Sequence, residues 1–588
     1  MREHNQLAQP VWIGDERPVF GMYHAPSTDL SQPRAVLFCA PFGWEDMGSY
    51  PVRLLWANRL AEDGYRVLRF DLPGTGQSAG SPGDPEQLQS WLHSIAQTAS
   101  WLRHASQSSH VAAIGIGLGG LLALAATGDG APIDDLVLWG VPTSGRALTR
   151  RLLAFARLQT AASERPDSAL PAGWLQSGGY VLSEETLTDL GALRADTGRV
   201  GGLRRVLLLD QDGSAVEPSL SEHLQSAGVE VQIAHGPGYA AMLDSPEISA
   251  APLATIATVR DWLGRGEQAQ LERREETAPP SRDSLELRIG GVAVSERAFT
   301  VRRASADMFG VLAQPGERSP NDLCLICLPA LAERCIGPSR MWVEMARRHA
   351  TQGVSSLRID LESIGDSTGS RDSTLTTADV WSENRVSQVK EVMDALQGEG
   401  HGSRFLLIGL CTGAYWAQRI ATVDSRVVAV LSLNPAMSHV GLGLLERHGA
   451  SRALVILKPA WWRKLIRGEV SSKGITTVSR GLEHRLTSLL SSRGQSTQSQ
   501  SEAQESTFAV MLDQLQRRGA RMTIGFATLE PGYHQLEVEG IAQHPERWPA
   551  LRIHRFESTD HNLRELHQQR TIHELLDELV RDVLSARD

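Results

Sequence analysis

Cysteine is scarce in this chain: 588 residues hold five, Cys39, Cys324, Cys327, Cys335 and Cys411. So few, and an odd number, do not make a disulfide framework, and a reducing cytoplasm is the expected setting. Long apolar runs are missing as well. No stretch of 18 residues is apolar throughout, so no membrane span is expected. The opening MREHNQLAQPVWIGDERP has no apolar core of a secretory signal. Positive charge is neither abundant nor clustered. The formal net charge is -10 and Lys and Arg are scattered, which argues against nucleic acid or an anionic membrane surface as partner. The 18 histidines show no ligand spacing such as HExxH, so neither a metal nor another cofactor is expected.

What the chain does contain is itself, twice. VLFCAPFGWEDMGSY and LLWANRLAEDGYRVLRFDLPGTGQSAG, from Val36, are answered from Leu323 by LCLICLPALAERCIGPSR and MWVEMARRHATQGVSSLRIDLESIGDSTG. Asp71 falls on Asp360, Gly76 on Gly365 and Ser78 on Ser367. Further on, VAAIGIGLGGLLALAA is answered by FLLIGLCTGAYWAQRIA, and DDLVLWGVPTSG by VVAVLSLNPAMS. A period this long means a duplicated domain, not a solenoid. Strands alternating with helices predict a mainly parallel sheet covered on both faces. The polar stretch from Gly264 to Ser284 marks the boundary, giving domains 1–265 and 284–588 joined by a linker, 266–283. SSRGQSTQSQSEAQES, from Ser491, is Ser/Gln-rich and reads as a loop.

FLLIGLCTGAYWAQRI places Cys411 between Gly409 and Gly413, where an apolar strand turns sharply into a helix. Such a nucleophile elbow needs small neighbours, because a Cβ beside the turn would clash. The helix N-terminus and a nearby histidine favour the thiolate, which is the attacking species. The alternative is a core cysteine beside a glycine turn. The Thr412 N–H points to where an oxyanion would form, with a second donor expected at Ala330 or Leu331. The order nucleophile, acid, histidine then singles out Glu530 after the strand RMTIGFAT, and His561 after the strand LRIHRF. Glu537 and Asp560 are rival acids. The first copy has Gly117 at the elbow, and Ala241 falls near the place of His561. His235 comes too early there, and Asp210 or Asp212 would be an acid without nucleophile or base, so this domain reads as a non-catalytic copy.

Two motifs carry less than they suggest. Cys324 and Cys327 form a CxxC inside a strand, where alternation sends them to opposite faces. Gly115, Gly117 and Gly120 satisfy GxGxxG, but that fingerprint belongs after a fold's first strand, and four earlier elements already match the hydrolase order.

FDLPGTGQSAG, IDLESIGDSTG, APFGWEDM and LPALAER resemble the serine-aminopeptidase-type α/β hydrolases. Within them the chain is most similar to the exosortase-associated and exopolysaccharide-cluster hydrolases, which also carry a cysteine at the elbow in strings like GLCTGAY. The resemblance implies an α/β class: two tandem α/β-hydrolase domains, each a mainly parallel sheet flanked by helices with an inserted lid. It also implies acyl-transfer chemistry on Cys411 with His561 as base. Glu530 stands where the family more often has Asp. The likeness is weakest over the lid of the second domain, about 438–519. There Trp461 and Trp462, beside Arg463 and Lys464, either close over an apolar substrate with an anionic end or dock the lid on the core.

The leading expectation is an acyltransferase or thioesterase working through an S-acyl intermediate. Its donor would be an acyl thioester of CoA or a carrier protein, or a small ester. The alternatives are a simple ester hydrolase of a polysaccharide or natural-product pathway, and a non-catalytic binding or scaffold protein. A homo-oligomer is compatible with all three. The first domain keeps an apolar core without catalysis, so retention for an interface is expected.

Overall fold

The computed structural model describes residues 7–28, 33–160, 170–244, 246, 249–265, 279–316, 321–369, 382–436, 507–528, 530–558 and 560–586. They form two sheets of nine strands each. The first holds β1 (Gln9–Ile13), β2 (Val19–His24), β3 (Arg34–Cys39), β4 (Tyr65–Phe70), β5 (Val111–Ile116) and β6 (Asp135–Trp139). A small separate hairpin, β7 (Leu175–Ser177) and β8 (Tyr180–Leu182), precedes its β9 (Arg205–Leu209) and β10 (Glu230–Ala234). A short edge strand, β11 (Ser281–Arg282), pairs with β1 and completes it. The second sheet holds β12 (Ser284–Ile289), β13 (Val292–Arg302), β14 (Asp307–Pro315), β15 (Leu323–Leu328) and β16 (Ser355–Ile359). It continues with β17 (Arg404–Leu410), β18 (Val427–Leu433), β19 (Arg521–Phe526) and β20 (Leu551–Arg555).

The orders are β10-β9-β6-β5-β3-β4-β2-β1-β11 and β12-β13-β14-β16-β15-β17-β18-β19-β20. In each sheet an antiparallel beginning leads into six parallel strands, and the third and fourth strands of the common pattern exchange places. The composition explains the parallel block. β5 (VAAIGI) and β15 (LCLICL) are buried at every position, as strands covered by helices on both faces must be. Cys324 packs with Ile326 and Leu328 on one face of the second sheet, and Cys327 with Leu323 and Leu325 on the other. The pleat therefore keeps the CxxC sulfurs apart.

Between β6 and β9 the first domain inserts a helix (Gly145–Thr160), the β7–β8 hairpin and a second helix (Glu184–Ala192). In the second domain, residues 437–506 lie outside the described residues, and Trp461 and Trp462 with them. The end of that expected lid does not cover a site: the helix Thr507–Arg517 buries Phe508, Leu512 and Leu515 in the core.

The duplication is most literal in the turns after β4 and β16. Ser78 Oγ accepts from the Phe20 N–H at 2.8 Å and donates to the Asp71 carbonyl at 2.7 Å. Ser367 Oγ repeats both bonds with Phe309 and Asp360, at 2.8 and 2.7 Å. Gly76 and Gly365 sit at φ +49° and +53°, and a Cβ there would fall about 2 Å from the carboxyl of Asp71 or Asp360. Only glycine fits either place.

These turns also join the domains. Phe20 stacks on its own counterpart Phe309, with ring centroids 6.0 Å apart. Arg69 donates to Asp366 at 2.7 Å, and Arg358, the counterpart of Arg69, donates to Gln77, the counterpart of Asp366, at 2.8 Å. The contact is isologous, like that of a two-fold dimer. Around this axis the halves differ. Arg334 grips Asp71 with two bonds of 3.0 and 2.9 Å and lies 4.1 Å from the ring centre of Tyr50. Arg340 donates to the carbonyls of Gly76, Ser78 and Gly80 at 2.9, 2.7 and 3.0 Å. The paired aspartates therefore titrate oppositely. Burial alone would raise Asp71, but the Arg334 guanidinium holds it below the ordinary range. Asp360 is pushed up to about 7 by burial and then by the Asp366 carboxylate.

Removing one partner of a buried ion pair strands the other. Asp366→Ala takes the acceptor from both Arg69 and the Tyr50 hydroxyl. It should lower stability by about 3–5 kcal/mol, read from the denaturant midpoint. Cleaved at an engineered protease site between 266 and 278, the unsubstituted protein should still elute as one species on a sizing column.

Candidate active site

β17 ends at Leu410, and the next residue breaks its geometry. Cys411 sits at φ +54°, ψ −116° and caps the helix Thr412–Val423. Few non-glycine residues hold such a conformation without being locked by their surroundings. Here the lock is hydrogen bonding and close packing. The Cys411 N–H donates to the Leu433 carbonyl at 3.0 Å, and its own carbonyl accepts from Tyr415 and Ala436 at 3.2 and 3.1 Å. Gly409 and Gly413 cross so closely that a Cβ on Gly409 would fall 2.2 Å from the Gly413 carbonyl carbon. The side chain of Cys411 is lifted to the helix N-terminus and stays partly exposed, whereas the other four cysteines are buried.

His561 and Glu530 arrive from the ends of the last two strands. The Thr528 N–H donates to the Ser558 carbonyl at 2.7 Å, and the Phe556 N–H to that of Phe526 at 2.8 Å, so the two loops are laced together. Nδ1 of His561 donates to Glu530 Oε1 at 2.7 Å, which leaves the other ring nitrogen for the Cys411 sulfur, with which the ring shares a hydrogen bond. Burial alone would lower the His561 pKa. The hydrogen bonds to Cys411 and Glu530 outweigh it and hold the imidazole protonated well above its ordinary range. The rival acids are engaged elsewhere. Asp560 takes the Arg564 N–H and guanidinium at 2.8–3.0 Å, and Glu537 lies 3.5 Å from the half-exposed face carrying His534.

The loop after β15 approaches the elbow directly. The Leu331 N–H, in a residue at φ +45°, donates to Thr412 Oγ1 at 2.7 Å, while Ala330 is buried beneath it. The Thr412 N–H belongs to the first turn of its helix, where amides have no intrahelical acceptor. Of the expected oxyanion donors, then, Leu331 is held by the side chain of Thr412. That side-chain bond was not foreseen from the sequence. Nor was Asn434, a buried residue at φ +41°. Its Nδ2 donates to the His561 carbonyl at 2.6 Å and its Oδ1 accepts from the Ala527 N–H at 2.8 Å, fixing both loops at once. A signal existed: in the repeat Asn434 falls on Gly140, which also has positive φ, and Asn is the side chain that best tolerates that region.

The first domain keeps the geometry of the elbow with glycine at its centre. Gly117 has φ +55° and ψ −125°, close to the values of Cys411. A Cβ there would lie 2.9 Å from the Glu45 carboxylate, 3.3 Å from the Tyr239 hydroxyl and 3.4 Å from Pro41. A side chain at this position would have to move the Glu45 carboxylate aside. His235 pairs with Asp210 at 2.7 Å, but its side chain is 95% exposed. Asp212 accepts from the N–H groups of Gly238 and Ala240, and Ala241 offers no base. Among the described residues no group of three or more His, Cys, Asp or Glu could hold a metal ion. No described helix is long and apolar enough to cross a membrane.

Residues 31–177 match the family model described as serine aminopeptidase, S33, and the match lies in the first domain. No curated protein matches the chain. Among solved structures the chain is similar to Est1E from Butyrivibrio proteoclasticus with ferulic acid bound (16% identity, 43% of this chain and 97% of that one, TM-score 0.31). It is also similar to a proline iminopeptidase of Mycobacterium smegmatis (16%, 50% and 100%, TM-score 0.31) and a dienelactone hydrolase from Anabaena variabilis (12%, 50% and 97%, TM-score 0.30). The two mainly parallel sheets, their strand exchange and their flanking helices are those of the α/β-hydrolase fold.

Iodoacetamide at neutral pH should label Cys411 alone. Burial pushes the thiols of Cys39 and Cys327 up to about 12, and those of Cys324 and Cys335 are also raised. Peptide mapping identifies the alkylated residue. His561→Ala should slow alkylation at pH 6 by about tenfold or more, because the sulfur loses its hydrogen-bond partner.

Proposed function

We propose that the second domain is an acyl-transfer enzyme that works through an S-acyl intermediate on Cys411. The observation that carries this reading is the chain of hydrogen bonds from Cys411 through His561 to Glu530, built on a strained elbow at a helix N-terminus. With the thiol proton already held on His561, the sulfur of Cys411 attacks the carbonyl carbon of an ester or thioester. The Thr412 N–H faces the oxygen of the tetrahedral intermediate, and Leu331 joins it if Thr412 Oγ1 lets go. Collapse breaks the bond to the leaving group, which His561 protonates. The acyl group then passes to a thiol, amine, alcohol or water whose proton returns to His561. Glu530 fixes the ring orientation throughout.

A thiol nucleophile exchanges readily with thioesters, so a CoA- or carrier-bound acyl donor is favoured over a simple ester. The first domain acts as a support, and its contacts fall where support matters. Arg334, three residues past Leu331, is gripped by Asp71. Arg564, three residues past His561, lies over the Trp44 ring and offers its carbonyl to Gln176 at 2.9 Å. Both loops that carry the chemistry are thus anchored on the first domain.

Incubation with a panel of acyl-CoA thioesters and p-nitrophenyl esters, followed by intact-protein mass spectrometry, tests this reading. One acyl group should appear on Cys411 and none on Cys411→Ala, which should keep its fold and lose turnover. His561→Ala should reduce turnover by about 10²–10⁴, and Glu530→Gln by less. Turnover at the unsubstituted rate in Cys411→Ala ends the assignment.

A further inference from the structure

A cavity of about 370 Å³ lies away from Cys411, between the two domains. Its first-domain wall is aromatic: Phe42, Phe70, Trp91, Trp174 and Tyr180. Its second-domain wall comes from the segment around Ile336 and Arg340 and from the start of the last helix, Leu566–Ser585. We propose that this cavity is a binding site for an uncharged, mainly aromatic small molecule.

The volume is within the range of small-ligand pockets. The rings offer faces on which a flat apolar body stacks. The charges in the wall are already engaged: Asp46 with Arg53, Asp71 with Arg334, Arg340 with Glu344, and Arg570 is not free either. A charged ligand would lose its hydration without gaining a counter-charge. His573, also in the wall, is held below the ordinary imidazole range by burial and then by Arg348, and so adds no cation near neutral pH. Gln87, which also lines the cavity, is buried, and its Nε2 is spent on the Pro73 carbonyl at 2.6 Å.

The position adds a reason for the site to exist. Pro41 lines the cavity and also lies 3.4 Å from where a Cβ on Gly117 would stand. The pocket therefore adjoins the elbow that lost its nucleophile: chemistry is gone from the first domain, but the hollow beside it is not. An occupant would touch both domains, and this reading does not depend on what Cys411 does.

N-phenyl-1-naphthylamine is a suitable probe, being neutral and aromatic. Titrated into the full chain, it should give a saturable one-to-one rise in emission with quenching of tryptophan. Binding should survive alkylation of Cys411 by iodoacetamide. Val181→Trp fills the cavity and Trp174→Ala removes part of its wall, and each should weaken binding about tenfold or more while circular dichroism stays unchanged. If Val181→Trp does not fold, Trp174→Ala decides alone, since Trp174 lies on a half-buried loop. Linear uptake, equal affinity in the folded variants, or loss of binding when Cys411 is blocked would overturn the proposal.

Discussion

Arg69, from β4, and Asp366, from the turn after β16, meet almost out of reach of water. A charge in that position is stranded when its partner is removed, and separating the domains would also expose the Phe20–Phe309 ring pair. The two halves are therefore one body, and everything placed near the axis inherits a fixed frame. That frame includes the loop after β15 and the loop holding His561, neither of which is braced by its own sheet alone. The second domain's geometry is a property of the pair.

Much of this was readable from the chain. The repeated pattern and the two mainly parallel sheets followed from matching segments such as FDLPGTGQSAG and IDLESIGDSTG, because a tight turn with a required glycine tolerates few alternatives. Cys411, His561 and Glu530 were legible for the same reason: the elbow is a local motif, and the other two sit at strand ends in a fixed chain order. The structure brings these three together. The burial of Cys324 and Cys327 on opposite faces was equally local, since it needs only the pleat.

What stayed hidden was whatever depends on contacts distant in sequence. Nothing in LPALAERC announces that Arg334 will reach across to Asp71, because the two are 263 residues apart. Asn434 looks like the end of a strand until its amide is seen bridging two loops. Thr412 was expected to matter through its backbone alone, yet its hydroxyl holds the Leu331 N–H. Most of the expected lid lies outside the described residues, and its last part, Thr507–Arg517, is a helix that buries Phe508, Leu512 and Leu515 in the core.

The stacking of Phe20 on its own counterpart has a historical meaning. A surface that meets its own copy about a two-fold axis is the surface of a homodimer, and joining two such subunits in one chain preserves the contact while freeing the sequences to part. In a homodimer, one substitution at the elbow would change both copies at once. In the fused chain the two elbow positions already differ, glycine at 117 and cysteine at 411, while their backbone angles stay close. Fusion thus lets each elbow vary alone without disturbing the shared axis.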